Sequence, residues 1–362
     1  MAEAHLQRAR LAGLVSVVGP ERRRLDDEPE LYGGNRAQLD RLKRTIGLAE
    51  RWVSPPAQTA LDLGHQAATR LLAGLALAPA DLDALIFVTQ TPDHFQPCNA
   101  AILHGRLGLP TSVAAFDVNL GCSGFVYGLY LASLLAETGG CRKVLLVAGD
   151  TLSHSVHPRD RAVAPLFGDA AAAALVEQIP PGEPPSPAWF SLHTDGSGAD
   201  IIKQPAGGFR EPATNAALTE HTDADGNVRT RANLHMNGAE VFSFNLRELP
   251  LLVEGLMRRA QVGTRDVDAY VFHQANRYII RNIARRLHLP LERVPMDIVE
   301  RFGNQSSASI PFTLCHSLGE AARARRLRVL LVGYGVGLSW ASALLEVGPL
   351  RVCEWITGVA PP

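Results

Sequence analysis

One cysteine of the chain lies where its thiol could become a nucleophile. In FDVNLGCSGFVYGL an apolar strand is predicted to end at Asn119, Gly121 permits a tight turn, and Cys122 falls at the start of a helix. Unpaired backbone N–H groups and the helix dipole lower the pKa of a thiol at such a position. A free cysteine is more often buried and inert, and this is our interpretation of Cys141 and Cys353. For Cys122 the strand, turn and helix favour a nucleophile.

Two further motifs carry side chains that could assist a thiolate. In VFHQAN, His273 ends an apolar strand and Asn276, a candidate substrate-binding residue, follows on the next turn. The carboxyl ends of strands face the crevice where α/β sheets bind ligands, although His273 could equally be a hydrogen-bonded core histidine. In RFGNQSSASIP, Asn304 could donate a hydrogen bond, although Gly-Asn-Ser runs are usually turns.

A glycine-rich turn, GYGVGLSW, follows the apolar run RVLLV near the C-terminus. It could be a phosphate loop, but no helix begins there and no Gly-Lys-Ser sequence ends it. The segment Gly335–Val336–Gly337 fits better as a turn whose backbone N–H stabilises an oxyanion.

Strands and helices alternate on both sides of the Pro-rich run IPPGEPPSP at residues 179–187, which is the best candidate for a linker. The run Leu11–Val18 is interpreted as the first strand rather than as a signal peptide. Residues 328–335 and 342–347 are predicted as the last two strands. Apolar runs such as VLLVAGD and VLLVGYG indicate central strands covered on both faces. We therefore predict a duplicated α/β fold with halves at residues 1–180 and 181–362.

The composition excludes several classes of protein. The 362 residues carry 35 Lys and Arg against 36 Asp and Glu, a formal net charge of −1, so no global basic field attracts nucleic acid. No apolar stretch approaches the ~20 residues of a membrane span. Five scattered cysteines without a CxxC pair form neither a disulfide framework nor a zinc site, and they fit the reducing cytoplasm.

Taken together, the motifs point to one family. VNLGCSGFVYGL, LFGDAAAAALV, FHQAN, GNQSSASIP and GYGVGLSWASALL, in this order, resemble β-ketoacyl-acyl-carrier-protein synthase III of the thiolase superfamily. The segment GLAERWVSPPAQTALDLGHQAATRLL adds to the resemblance, which extends from about Leu11 to Val347. It implies a five-layer α-β-α-β-α thiolase fold, a homodimer and a Cys-His-Asn active site. Cys122 would then be the nucleophile, with His273 and Asn304 as its partners.

The resemblance also implies a reaction. Cys122 would take an acyl group from acyl-CoA, and His273 and Asn304 would stabilise the enolate formed when a malonyl thioester loses carbon dioxide. A neutral His273 is needed for this, and the apolar strand VDAYVF favours it. Coenzyme A thioesters are substrates, and no metal or bound cofactor is expected. The alternatives are an acyltransferase that moves the acyl group to an oxygen or nitrogen nucleophile, and a non-catalytic subunit of a heteromeric synthase.

Substrate-binding positions depart from the family pattern. In the family a Phe from the neighbouring subunit often closes a short acyl pocket, and DHFQPCNA places Phe95 or Gln96 there. A Gln would favour a longer or more polar acyl group. Where the family has a Trp that stacks on the CoA adenine, this chain reads RLKRTIG. Arg41, Lys43 or Arg44 could meet the CoA phosphates, or all three could lie on a solvated helix face.

A basic helix is expected to bind the acidic acyl carrier protein. The segment NRYIIRNIARRLH carries four arginines, with Arg281 and Arg285 at i, i+4 on one face. The others are Arg277 and Arg286. The alternative is an ordinary charged helix face.

Overall fold

Two central β-sheets organise the molecule. The computed structural model describes residues 2–29 and 35–360. The six-stranded sheet has the order β17-β2-β8-β7-β5-β6, and the five-stranded sheet the order β1-β9-β16-β15-β14. Their strands are β1 (Ala2–Leu6), β2 (Ala9–Val18), β5 (Ala84–Val88), β6 (Ala114–Val118), β7 (Lys143–Asp150), β8 (Ala170–Gln178), β9 (Ala188–Thr194), β14 (Ala269–Phe272), β15 (Leu327–Gly335), β16 (Ser339–Val347) and β17 (Cys353–Thr357). Short hairpins use β3 (Glu21–Arg24) with β4 (Glu50–Val53), β10 (Ile202–Lys203) with β13 (His235–Met236), and β11 (His221–Thr222) with β12 (Val228–Arg229).

Helices cover both sheets and fill the space between them. They are α1 (Arg36–Ile46), α2 (Ala60–Leu75), α3 (Asn99–Arg106), α4 (Gly124–Glu137), α5 (Gly238–Ala260), α6 (Arg277–Arg286), α7 (Ile298–Phe302) and α8 (Ser309–Ala324). Where the sequence predicts a helix over 235–260 broken or kinked near Pro250, α5 starts at Gly238 and continues through the proline. Within residues 2–29 and 35–360, no helix has the length and apolar character needed to cross a bilayer.

Three apolar clusters define five layers. The largest joins inner faces of both sheets, for example Val88 and Val271, to Phe125 of α4 and Leu314 of α8. A second packs α2 and α3 on the outer face of the six-stranded sheet. A third packs α5 and α6 on the outer face of the five-stranded sheet. The order is therefore α-β-α-β-α, which confirms the predicted fold.

The two sheets repeat one arrangement. The neighbours β2-β8-β7-β5 in the first sheet correspond to β9-β16-β15-β14 in the second. The terminal strands are exchanged, because β1 pairs with β9 in the second sheet and β17 pairs with β2 in the first. The strand predicted at Leu11–Val18 is therefore not the first strand, because β1 precedes it, and the strand predicted at residues 342–347 is not the last, because β17 follows it. The division into halves at residue 180 stays a prediction.

Candidate active site

Cys122 lies between β6 and α4, against the end of β15. Helix α4 begins at Gly124 with Ser123 as its N-cap, so the cysteine stands just before the helix. A Cβ at Gly335 would lie 2.7 Å from Cys122 Cβ and 2.8 Å from its Sγ. Only a residue without a side chain allows β15 to approach the thiol this closely. The glycine of the turn after RVLLV thus makes room for the Cys122 thiol.

The protonation of Cys122 differs from the sequence prediction. Burial raises the pKa of its thiol to about 11, and the carboxylate of Asp150 raises it further. The Ser306 hydroxyl and the backbone N–H groups of Val336 and Cys122 act in the opposite direction. The prediction of a lowered pKa is wrong, because surrounding protein and a nearby anion disfavour the thiolate more than the helix start favours it.

His273 directly follows β14, and its backbone N–H donates to the Val332 carbonyl at 2.7 Å. Its Nδ1 lies 2.6 Å from Ser309 Oγ, which also accepts the Gln274 N–H at 3.3 Å. The Ser309 hydroxyl can therefore donate its hydrogen to Nδ1 as the acceptor. This arrangement favours the tautomer in which Nε2 carries the proton. Burial lowers the pKa of His273 to about 3, so the ring is neutral at pH 7, as predicted.

Asn304 is held through its backbone and its amide oxygen. Its N–H donates to the Leu166 carbonyl at 2.8 Å, and its carbonyl accepts the Gly168 N–H at 3.0 Å. A Cβ at Gly168 would lie 2.0 Å from the Phe302 oxygen, so the FGD and FGN segments meet only because this residue is glycine. The Asn304 Oδ1 accepts the Ser306 N–H at 2.9 Å. This bond orients the amide and leaves Nδ2 to donate.

Ser306 connects the three predicted residues. Its Oγ lies 3.9 Å from Cys122 Sγ, its N–H binds Asn304, and its carbonyl faces the His273 ring. Cys122, His273 and Asn304, which are far apart in the chain, therefore surround one serine. Ser306 is not among the residues predicted from the sequence. It lies in the GNQSS motif, but no other feature of the sequence marks it.

Asp150 is a second residue that the sequence analysis missed. This buried carboxylate at the end of β7 accepts the Gln90 N–H at 2.9 Å and the Ser307 hydroxyl at 2.6 Å. Thr89 and Thr91 donate at 3.2 and 3.3 Å. It thereby joins the loop after β5 to the loop that carries Asn304. Burial raises the pKa of Asp150. An acidic residue ending the apolar run VLLVAGD was the available signal.

The predicted oxyanion turn joins β15 to β16 in an antiparallel hairpin, with Gly335 paired to Ser339. No helix follows the turn, so a phosphate loop is excluded at this position. Within Gly335–Val336–Gly337, the Val336 N–H faces the Cys122 sulfur together with the cysteine's own N–H. These two N–H groups can donate hydrogen bonds to the oxygen of a thioester carbonyl that the Cys122 sulfur attacks.

Phe95 and Gln96 are exposed on the loop between β5 and α3. Phe95 is 70% exposed, and its ring lies 5.5 Å from that of Phe209. With Gln90 and His154, these residues line a cleft of about 720 Å³. The cleft reaches the active site through Gln90, whose Nε2 donates to Ser306 Oγ at 3.0 Å.

The predicted CoA-binding arginines lie on α1. Arg41 and Arg44 are exposed, and their guanidinium groups bind no residue that the structure describes. Lys43, between them, pairs with Asp26 at 2.6 Å. Arg41 and Arg44 are therefore free to bind a ligand, and neither of them contacts Cys122. Both sequence interpretations of this helix stay predictions.

Some polar residues at α6 bind other residues of the protein, and others have no partner among the described residues. Asn276 caps α6, its Oδ1 accepting the Tyr278 N–H at 2.7 Å. Arg277 pairs with Glu300 at 2.9 Å, and Arg286 donates to the Leu246 carbonyl at 2.8 Å. The other two arginines, Arg281 and Arg285, are exposed and have no partner among the described residues.

The five-layer fold and the Cys-His-Asn site define a condensing enzyme of the thiolase superfamily. Family models described as "3-Oxoacyl-[acyl-carrier-protein (ACP)] synthase III" and its "C terminal" match residues 116–204 and 257–347. A putative 3-oxoacyl-[acyl-carrier-protein] synthase 3 of Campylobacter jejuni is 35% identical over 345 residues, 95% of each chain. The chain therefore belongs to the β-ketoacyl-acyl-carrier-protein synthase III family.

Solved structures agree with this assignment. A 3-oxoacyl-(acyl-carrier protein) synthase from Burkholderia xenovorans superposes with a TM-score of 0.91 at 37% identity, covering 99% of each chain. The priming β-ketosynthase of a polyketide pathway superposes with a TM-score of 0.76 at 25% identity, covering 94% of this chain and 96% of that one.

Proposed function

We propose that the protein loads an acyl group from acyl-CoA onto Cys122 and condenses it with a malonyl thioester to give a β-ketoacyl thioester. The observation that carries this proposal is the pair of neutral hydrogen-bond donors, His273 and the Nδ2 group of Asn304, gathered with Cys122 around Ser306. Such donors stabilise an enolate without being needed for simple acyl transfer. The pathway would be fatty-acid initiation or a specialised fatty-acid or polyketide pathway.

In the first half-reaction, the Cys122 sulfur attacks the thioester carbonyl. The carbonyl oxygen becomes an oxyanion and is stabilised by the N–H groups of Cys122 and Val336. The C–S bond to coenzyme A then breaks, and the departing thiolate takes up the proton that Cys122 lost. The products are the acyl-enzyme and free coenzyme A.

In the second half-reaction, the malonyl thioester carbonyl accepts hydrogen bonds from His273 Nε2 and Asn304 Nδ2. Cleavage of the bond to the carboxylate releases carbon dioxide and leaves an enolate, whose negative oxygen these donors stabilise. The enolate carbon attacks the acyl group on Cys122, and the cysteine thiolate leaves. A neutral His273 suits this step, because an imidazolium would tend to protonate the enolate.

Two macromolecular partners belong to the proposal. Arg281 and Arg285 are exposed on α6, have no partner among residues 2–29 and 35–360, and suit an acidic acyl carrier protein. A second copy of the chain would cover β6, which pairs only with β5 among the described strands and carries the part-exposed Phe116. Such an open strand with an apolar side chain is unfavourable in water, which supports a homodimer.

The proposed reaction requires only coenzyme A or carrier-protein thioesters as substrates and no bound metal or redox cofactor. A cytoplasmic location is proposed as well, supported by the five free cysteines of the chain, which suit a reducing compartment.

The test is the mass of the intact protein after incubation with a panel of acyl-CoAs from acetyl to octanoyl. We expect a single acyl adduct that is absent in Cys122→Ala and retained in Cys141→Ala, which removes another partly exposed cysteine. Adding malonyl-CoA or malonyl carrier protein should discharge the adduct with release of carbon dioxide. An adduct discharged only by oxygen or nitrogen nucleophiles would establish the acyltransferase alternative. No adduct with any donor would refute the enzymatic proposal.

A further inference from the structure

The Ser306 hydroxyl faces the sulfur of Cys122 but has no role in the reaction described so far. The two atoms are 3.9 Å apart, and Ser306 is almost completely buried. A sulfur contact of this length is long for a hydrogen bond. Catalytic hydrogen bonds are often long in ligand-free enzymes and shorten when charge develops.

The neighbours of Ser306 determine where its hydrogen can go. Gln90 Nε2 donates to Ser306 Oγ at 3.0 Å and therefore occupies an acceptor position on that oxygen. In the resting thiol, either Cys122 or Ser306 could donate to the other. A thiolate has no proton, so the Ser306 hydroxyl must then be the donor. A hydrogen bond to a charged acceptor is also the stronger kind.

The backbone of Ser306 gives a second reason to regard its side chain as functional. Its φ is +48°, in the left-handed region that glycine adopts with least strain. A serine at this position costs stability that a glycine would avoid. Such outliers concentrate at active sites, where the surrounding structure holds the strained conformation.

Three titratable groups surround this contact. Asp150 faces both Cys122 and the Ser306 hydroxyl, so its carboxylate competes for the same hydrogen. The His273 ring faces the Ser306 carbonyl, and Tyr334 lies close enough to Cys122 to interact with its charge. Asp150 is already supplied with donors by Ser307, Gln90 and the neighbouring threonines. Fewer donors face the Cys122 sulfur than face Asp150, so a hydrogen bond from the Ser306 hydroxyl stabilises the thiolate more than it stabilises the carboxylate.

We propose that Ser306 is a further catalytic residue, whose hydroxyl, oriented by Gln90, donates a hydrogen bond to the Cys122 thiolate. The donor acts when the thiolate attacks the acyl-CoA carbonyl and again when condensation expels it. The catalytic meaning of this contact rests on the proposed function, whereas the contact itself can be tested without substrate.

The test measures the alkylation rate of Cys122 by iodoacetamide between pH 7 and 9, followed by intact mass. Ser306→Ala and Ser306→Gly both remove the hydroxyl, and only the glycine variant relieves the backbone strain. Losing a donor to a charged group should raise the thiol pKa by about one unit or more. A higher pKa lowers the fraction of Cys122 present as thiolate, and the greater nucleophilicity of each thiolate offsets part of this loss. Alkylation should therefore slow about threefold to tenfold at each pH. Both variants should show the same loss.

The matched control is Ser342→Ala, which removes another buried hydroxyl, on β16, that has no hydrogen-bond partner among the described residues. We expect its alkylation rate to stay within twofold of the parent rate. Gln90→Leu should slow alkylation in the parent and have a much smaller effect in Ser306→Ala, because it acts through that hydroxyl. An unchanged or faster rate in both Ser306 variants would overturn the inference. Because iodoacetamide replaces the substrate, this result is independent of whether acyl-CoA loads the wild-type protein.

Discussion

The neutral state of His273 should be visible in the acid stability of the protein. Burial lowers the pKa of this side chain to about 3, whereas a histidine in an unfolded chain titrates near 6.5. Below pH 6.5 the unfolded chain therefore takes up a proton that the folded protein does not accept until about pH 3. The free energy of unfolding must fall as the pH falls through this window.

The size of the effect follows from the two pKa values. At pH 5 the unfolded form gains about 2 kcal/mol from protonating this one imidazole, and at pH 7 it gains almost nothing. Replacing His273 by Gln removes the titrating group but keeps a polar side chain that can bind Ser309. The wild type should therefore lose about 2 kcal/mol more than His273→Gln between pH 7 and pH 5.

Urea unfolding of both proteins at pH 7 and pH 5, followed by circular dichroism, measures this difference. Every other titrating group is common to the two proteins, so its contribution cancels in the comparison. Equal losses of stability in both would show that His273 accepts a proton in the folded state near its ordinary pKa. The donor role of a neutral imidazole in condensation would then have to be abandoned.

Three other changes test the remaining parts of the site. Asn304→Asp keeps an acceptor for the Ser306 N–H but replaces the Nδ2 donor, so carbon dioxide release should fall about 10²–10³-fold while acylation of Cys122 persists. Gly335→Ala places a methyl group 2.8 Å from the sulfur and should reduce acylation about 10²-fold, measured by intact mass. The double reversal of Arg281 and Arg285 to Glu should raise KM for malonyl carrier protein about tenfold and leave KM for acyl-CoA unchanged. Arg351→Glu, an exposed reversal outside α6, is its control.

Much of the fold could be predicted because its central strands are continuous apolar runs. The run KVLLVAGD coincides with β7, and RVLLVGYG matches β15 to within one residue. The terminal strands were missed for a physical reason. The segment AEAHL of β1 alternates apolar and polar residues over only five positions, and its partner β9 lies more than 180 residues away. Such pairing is determined by the other half of the molecule, not by local pattern.

The active site shows the same division between motif and environment. Cys122, His273 and Asn304 each end or follow an apolar strand or a glycine turn, so their positions were visible in the sequence. The pKa of Cys122 was not, because it depends on Asp150 at the end of another strand and on how completely the folded protein surrounds the sulfur. Ser306 was hidden because its importance comes from one contact with the sulfur rather than from its residue type.

A thiol with a pKa of about 11 is consistent with a two-step condensation. At pH 7 only roughly one molecule in ten thousand carries the thiolate, so attack requires that donors stabilise the charge as it forms. Once acylated, a sulfur of high pKa is a poor leaving group, which slows attack by water on the acyl-enzyme. When the enolate attacks the acyl group, this sulfur must leave as a thiolate. The N–H groups of Cys122 and Val336 can then donate hydrogen bonds to the negatively charged sulfur. The environment that makes the resting thiol unreactive therefore also protects the intermediate until the malonyl substrate arrives.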